Sequence, residues 1–64
     1  MAKTNVKVRL VGENGNVFNL LGVCTRALKK AGHGDLANEL SEKVYKSKSY
    51  EEALSLMCEY CIVS

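Results

Sequence analysis

An apolar pattern at helical spacing begins directly after an Asn-Gly dipeptide, and it constrains the fold more than any other feature. Asn14-Gly15 between apolar segments is a strong β-hairpin signal, which would make residues 16–23 a return strand. Against this, Leu20 and Leu21 would point to opposite faces of a strand. The apolar residues instead fall within roughly 120° of arc on a helix: Val17, Leu20, Leu21, Cys24, Ala27, Leu28 and Ala31. We therefore predict a strand-to-helix loop and a first helix from about Val17 to Ala31, with Asn14 or Asn16 as its N-cap.

The segments before and after the helical region have the character of strands. Residues Asn5–Val11 alternate, with Val6, Val8 and Leu10 on one face and Lys7 and Arg9 on the other, which predicts a half-buried strand. The last residues, Cys61 to Ser64, are short and β-prone. We predict that they form a second strand beside the first.

Two further helices are predicted between these ends. Gly32 suits a left-handed C-terminal cap of the first helix, and Asp35 is the predicted N-cap of the second. The apolar stripe of the second helix is Leu36, Ala37, Leu40 and Val44. Ser49 and Glu52 form a capping box that starts the third helix. Its predicted inward residues are Tyr50, Ala53, Leu54, Met57, Tyr60 and Cys61.

These elements predict one α+β domain over residues 1–64, in the order β-α-α-α-β. Three antiparallel-neighbour helices pack on a two-stranded ribbon made from the N- and C-termini. A chain of this length buries only roughly 60% of its unfolded surface, so the predicted core is thin. Its longest apolar run is far below the roughly 18 residues of a membrane span, and no signal-peptide pattern follows the N-terminal lysines. We expect a cytoplasmic protein that does not bind membranes.

Candidate catalytic and cofactor sites have simpler structural explanations. Residues 12–16 lack both the phosphate-loop and the dinucleotide patterns, and Glu13 would repel a phosphate, so a tight turn is expected. His33 and Asp35 lie two residues apart without a nucleophile that they could orient, and we expect an exposed turn residue and a helix cap. The chain also has little room for a substrate pocket. We predict a protein without enzymatic activity and without a cofactor.

The cysteines raise the question of a zinc site. Three thiols and one imidazole are available: Cys24, Cys58, Cys61 and His33. The Cys58-x-x-Cys61 pair lies on a helical apolar stripe rather than in a knuckle, and an odd number of thiols suits a reducing compartment. We expect all three cysteines to be buried as small apolar residues, and no metal to be bound.

Four apolar residues fall outside the predicted core stripes and form the candidate partner surface. They are Phe18, Val23, Tyr45 and Leu56. Isolated exposed apolar residues are normal, but four in 64 residues suggest a contact surface. The alternative is that strands or chain ends cover them.

Charge is distributed unevenly along the chain. Residues 1–34 carry six basic residues and one acidic residue, a net +5, whereas residues 35–64 carry six acidic and three basic, a net −3. The candidate nucleic-acid contacts are Lys7, Arg9, Arg26, Lys29 and Lys30. The third helix is acidic outside, which makes it a poor recognition helix.

Three segments together resemble a scattered group of short proteins from bacteriophages, plasmids and bacterial genomes. The matching residues are Gly12, Gly15 and Asn16–Phe18, then Arg26–Gly32, then Ser49–Leu54. The group has no assigned activity, and the resemblance implies a mobile-element origin and a bacterial cytosol. We therefore expect a small non-enzymatic module that binds a protein partner, with nucleic-acid binding as the alternative. The exposed edges of a two-stranded ribbon predict self-association as a homodimer.

Overall fold

The computed structural model describes residues 3–9 and 16–63, and it has the predicted β-α-α-α-β order. The elements are β1 (Lys7–Val8), α1 (Val17–Lys30), α2 (Gly34–Lys46), α3 (Tyr50–Tyr60) and β2 (Ile62–Val63). Residues 17–23 are helical, so the strand-to-helix interpretation of the Asn-Gly loop is confirmed. Leu10, Asn14 and the glycines at 12 and 15 lie outside the described residues.

The two strands pair in parallel. Lys7 lies opposite Ile62 and Val8 opposite Val63, and the Ile62 N–H donates to the Val6 carbonyl oxygen at 2.8 Å. A parallel pair requires a long crossover connection, which the three helices provide. The predicted alternation is confirmed for residues 6–9, since Val6 is half-buried and Val8 buried, while Lys7 and Arg9 are exposed.

Helix α1 begins and ends with the predicted capping residues. The Asn16 side chain accepts a hydrogen bond from the Phe18 N–H at 2.8 Å. At the other end Gly32 has a φ of +86°, a conformation that glycine adopts without a Cβ penalty. The His33 N–H donates to the Leu28 carbonyl at 2.7 Å, and the Gly32 N–H to that of Lys29 at 3.1 Å. These two bonds form a Schellman motif.

The predicted N-cap of α2 is wrong by two residues. The helix begins at Gly34 with His33 in the N-cap position, and the His33 side chain makes no capping hydrogen bond. Because the Schellman motif ends at His33, the chain enters α2 at once, and the Ala37 N–H donates to the His33 carbonyl at 2.9 Å. Asp35 therefore lies inside the first turn, where a carboxylate favours the helix dipole.

Helix α3 begins directly after its predicted cap, Ser49. The core lies where the three helices meet the ribbon. The Ser49 hydroxyl accepts from the Glu52 N–H at 3.0 Å. Tyr50, predicted to point inward on α3, is 44% exposed, and Cys58, predicted to be buried as a thiol, is exposed. Tyr50 is the first residue of α3, and Cys58 lies about 100° round the helix from buried Met57. The buried apolar residues are Val8, Leu20, Leu21, Cys24, Leu28, Ala37, Leu40, Val44, Ala53, Met57, Tyr60 and Cys61.

Candidate functional site

Two of the four candidate partner-surface residues meet at one end of the helical layer. Phe18 is the second residue of α1 and Tyr45 the penultimate residue of α2, so both lie where α1 starts beside the end of α2. Their ring centroids are 5.7 Å apart with the planes tilted by 36°. Phe18 is 57% exposed and Tyr45 69% exposed. The two rings thus contact each other while most of their area faces solvent.

An open groove of about 310 Å³ lies beside this pair. We call it the aromatic groove, and it is lined by Val17, Phe18, Val44, Tyr45, Ser47, Lys48, Ser49, Tyr50 and Ala53. The start of α1, the end of α2, the start of α3 and the α2–α3 connection all contribute to its wall. Val44 and Ala53 are buried, and the three aromatic residues of the lining remain exposed.

Tyr50 belongs to this surface although sequence reasoning placed it in the core. Its position fits the apolar stripe of α3, but it lies at the first turn, beyond the layer in which α3 packs against its neighbours. The signal that could have identified it is its place directly after the Ser49 cap. A residue in the first position of a helix has helix neighbours on one side only.

The polar groups of the groove are mostly occupied by local bonds. The Ser47 hydroxyl donates to the Val44 carbonyl at 2.6 Å, and the Ser49 hydroxyl caps α3. Lys48 is exposed and is the charged residue among those that line the groove. The lining therefore combines apolar area with one cation, and among the described residues it includes neither a histidine nor a carboxylate.

The other two candidate partner residues do not join this surface. Val23 and Leu56 are half-buried and pack against the core, and neither lines the aromatic groove. Both side chains therefore present less apolar area to solvent than Phe18 and Tyr45 do.

The five candidate nucleic-acid contacts are all exposed. Lys7 lies in β1 with Arg9 just after it, and the other three lie in the second half of α1. Lys29 and Lys30 occupy the last turn of α1, where cations favour the helix dipole. Lys29 and Lys30 therefore stabilise the end of α1 independently of any contact with phosphate.

A second charged cluster surrounds the ring of Tyr60. The side-chain nitrogens of Lys3 and Lys43 lie 4.7 Å and 5.3 Å from the ring centroid, on a tyrosine that is fully buried. The Tyr60 hydroxyl donates to a Glu39 carboxylate oxygen at 2.5 Å, and Lys3 lies 3.6 Å from the same oxygen. The hydrogen bond from Tyr60 holds the pKa of Glu39 below its usual range, and the two lysines act in the same direction. This cluster joins the N-terminal segment to α2 and α3.

The thiols have two different environments. Burial, together with a smaller contribution from the neighbouring Cys61 thiol, raises the pKa of Cys24 to about 12. Burial also raises the pKa of Cys61. Cys58 is exposed, so the prediction that all three cysteines are buried is wrong for this one. Within residues 3–9 and 16–63 the structure has no group of three or more histidine, cysteine or acidic side chains arranged to hold a metal ion.

Comparison with known proteins identified no relative of this chain. The chain matches no protein-family model, no curated protein and no solved structure. None of the helices in the described part of the chain is long and apolar enough to cross a membrane.

Proposed function

We propose that this chain is a small non-enzymatic interaction module that binds a protein partner through the aromatic groove. The observation that supports the proposal is the Phe18–Tyr45 contact, two adjacent rings in residues that are 57% and 69% exposed. Exposed apolar patches with polar surroundings mark interaction sites, and aromatic residues are enriched in the buried centres of interfaces. In a chain with such a thin core, the two rings hold apolar area that the fold itself does not use.

The free energy available from burying the two rings is large enough to support a specific contact. Each ring buries roughly 150–250 Å² when fully covered. Covering the exposed parts of both Phe18 and Tyr45 would thus contribute about 5 kcal/mol at roughly 25 cal/mol per Å², before the costs of association. Tyr50 on the same groove adds to this area. A few aromatic anchors of this kind carry most of the energy of a typical interface.

The nature of the partner follows from the resemblance rather than from the groove. Similarity to short phage, plasmid and bacterial proteins suggests a mobile-element protein that acts on a host or phage protein. Inhibition of a bacterial defence system is one form of this proposal.

Affinity capture from a bacterial lysate tests the proposal. The wild-type chain should retain a stoichiometric protein that the double variant Phe18→Ala/Tyr45→Ala does not retain. Ile62→Ala is the matched control, because Ile62 is 42% exposed in β2 and is not part of the groove lining. Both variants truncate side chains that are at least 42% exposed, and circular dichroism should show an unchanged fold. Capture that is equal for wild type and double variant, or absent for both, would contradict the proposal.

We also propose that the chain forms a homodimer through the ribbon. Each strand has only two paired residues, and two-stranded ribbons of this kind are marginal alone. Sedimentation equilibrium at tens of micromolar under reducing conditions should give twice the chain mass. A single-chain mass at every concentration would rule the dimer out.

Nucleic-acid binding is the alternative, and the exposure of the five candidate basic residues supports it. Phosphate contacts release counterions, so affinity should fall steeply with salt. A gel shift at low salt that Arg26→Ala and Lys30→Ala weaken would support this alternative. No shift at low salt would end it.

A further inference from the structure

We infer that the aromatic groove selects a partner segment in which a bulky apolar side chain has a carboxylate close beside it. This inference rests on the proposed function and adds the chemistry of the occupant. Two properties of the groove support it: an apolar volume of limited size, and a single sign of charge in its lining.

The apolar part of the groove fits one large side chain. Its volume of about 310 Å³ lies at the lower limit of small-ligand pockets. Buried Val44 and Ala53 lie at its base, and the exposed rings of Phe18, Tyr45 and Tyr50 surround them. An aliphatic or aromatic anchor can therefore contact the base while the rings cover its sides.

The charge of the groove favours an acidic neighbour beside that anchor. Lys48 is the one charged side chain among the described residues that line the groove, and the hydroxyls of Ser47 and Ser49 each form one local hydrogen bond. Lys48 is therefore the groove residue that can form an ion pair with a carboxylate of the partner. The first turn of α1, which supplies two lining residues, contains no acidic side chain to offset the positive end of its helix dipole.

The third helix defines which side of the groove the carboxylate occupies. Glu51 and Glu52 lie in the first turn of α3 and neutralise the dipole there. An acidic group is therefore favoured at Lys48 and at the start of α1 rather than over the first turn of α3. Complementary charge of this kind acts mainly on specificity and association rate.

A peptide selection tests the inference directly. A library of random 12-residue peptides displayed on phage is selected against the purified full chain and counter-selected against the Phe18→Ala/Tyr45→Ala variant. The enriched sequences should contain Leu, Phe, Met or Trp with Asp or Glu within three positions. The most enriched peptide is then synthesised, and its Kd is measured by fluorescence anisotropy.

Two charge variants separate the acidic preference from the apolar anchor. Lys48→Glu should weaken binding of this peptide roughly fivefold to tenfold, as expected for reversing one exposed charge pair. Lys29→Glu is the matched control, since Lys29 is exposed in the last turn of α1, about 17 Å along that helix from Phe18. It should change the Kd by less than twofold. Circular dichroism confirms that both variants fold.

Each other outcome contradicts a defined part of the argument. Peptides that need Phe18 and Tyr45, but lack acidic residues and ignore Lys48→Glu, would overturn this inference and leave the proposed function standing. If no peptide distinguishes wild type from the double variant, the groove does not select such a segment and this inference is wrong, whereas the proposed function is decided separately by the lysate capture. If no peptide is enriched, and Phe18→Ala converts a dimer to a monomer in sedimentation, the occupant is a second copy and the inference is again wrong.

Discussion

Replacing Thr4 with valine should destabilise the fold far more than its position near the N-terminus suggests. Thr4 is 7% exposed, and its hydroxyl donates to the Tyr60 carbonyl oxygen at 2.7 Å. The same hydroxyl oxygen accepts from the Val6 N–H at 3.1 Å. One side chain therefore joins the segment before β1 to the last residue of α3, 56 positions away.

The cost of the substitution follows from what it leaves unpaired. Valine keeps the shape of threonine and removes the hydroxyl, so one backbone carbonyl and one backbone N–H lose a partner that water can hardly replace. A buried group left unsatisfied costs about 1–3 kcal/mol. The extra methyl offsets part of this at about 0.8 kcal/mol. The expected net loss is about 2 kcal/mol, or roughly 8–16 °C in Tm for a domain of this size.

Urea and thermal unfolding followed by circular dichroism measure this loss. The matched control is Thr25→Val, because the Thr25 hydroxyl donates at 3.3 Å to the Gly22 carbonyl within the same helix and makes no long-range bond there. That control should stay within about 0.5 kcal/mol of wild type. If Thr4→Val also stays within that range, the hydroxyl does not anchor the N-terminal segment and the reasoning is refuted.

Three further predictions concern the core, the charged cluster and the thiols. Met57→Ala truncates a fully buried side chain, and thermal denaturation should show that the free energy of unfolding falls by about 2–5 kcal/mol. A fall below about 1 kcal/mol would contradict the packing of Met57 in the core. The Tyr60 hydrogen bond lowers the pKa of Glu39 in the folded state. The ionised Glu39 therefore stabilises the fold above the carboxyl pKa of the unfolded chain, and this stabilisation is lost as the pH falls through the pKa of the folded state. In urea unfolding from about pH 6 to pH 3, the free energy of unfolding should therefore fall more steeply for wild type than for Glu39→Gln. Identical slopes would disprove the link between Glu39 ionisation and stability. Iodoacetamide at about pH 8 should label Cys58 alone in the native protein and all three cysteines in urea, because burial raises the pKa values of the other two thiols; mass spectrometry counts the labels, and native labelling of Cys24 would show this to be wrong.

Parts of the candidate site could be read from the sequence, and other parts could not. The outlying positions of Phe18 and Tyr45 on their helices were visible from periodicity, and both residues are indeed exposed. Their contact was not visible, because it depends on which helix ends meet. Val23 and Leu56 have the same signal as Phe18 and Tyr45, yet the packing of other elements covers much of each.

The local order of this chain follows from the sequence alone. Periods of 3.6 and 2 residues mark the helices and the first strand, and Asn16, Gly32 and Ser49 act as the caps that their chemistry predicts. These features depend on residues within a few positions of one another. The information that specifies them is therefore local in the sequence.

Only the tertiary structure decided the features that involve distant parts of the chain. The parallel pairing of the strands, the Thr4 hydrogen bond to Tyr60 and the exposure of Tyr50 and Cys58 all depend on how the helices pack. A residue on an apolar stripe is buried only if a neighbouring element reaches it, and helical periodicity does not carry that information. The aromatic groove exists because three helix ends meet at one place, and that meeting is a property of the packed fold.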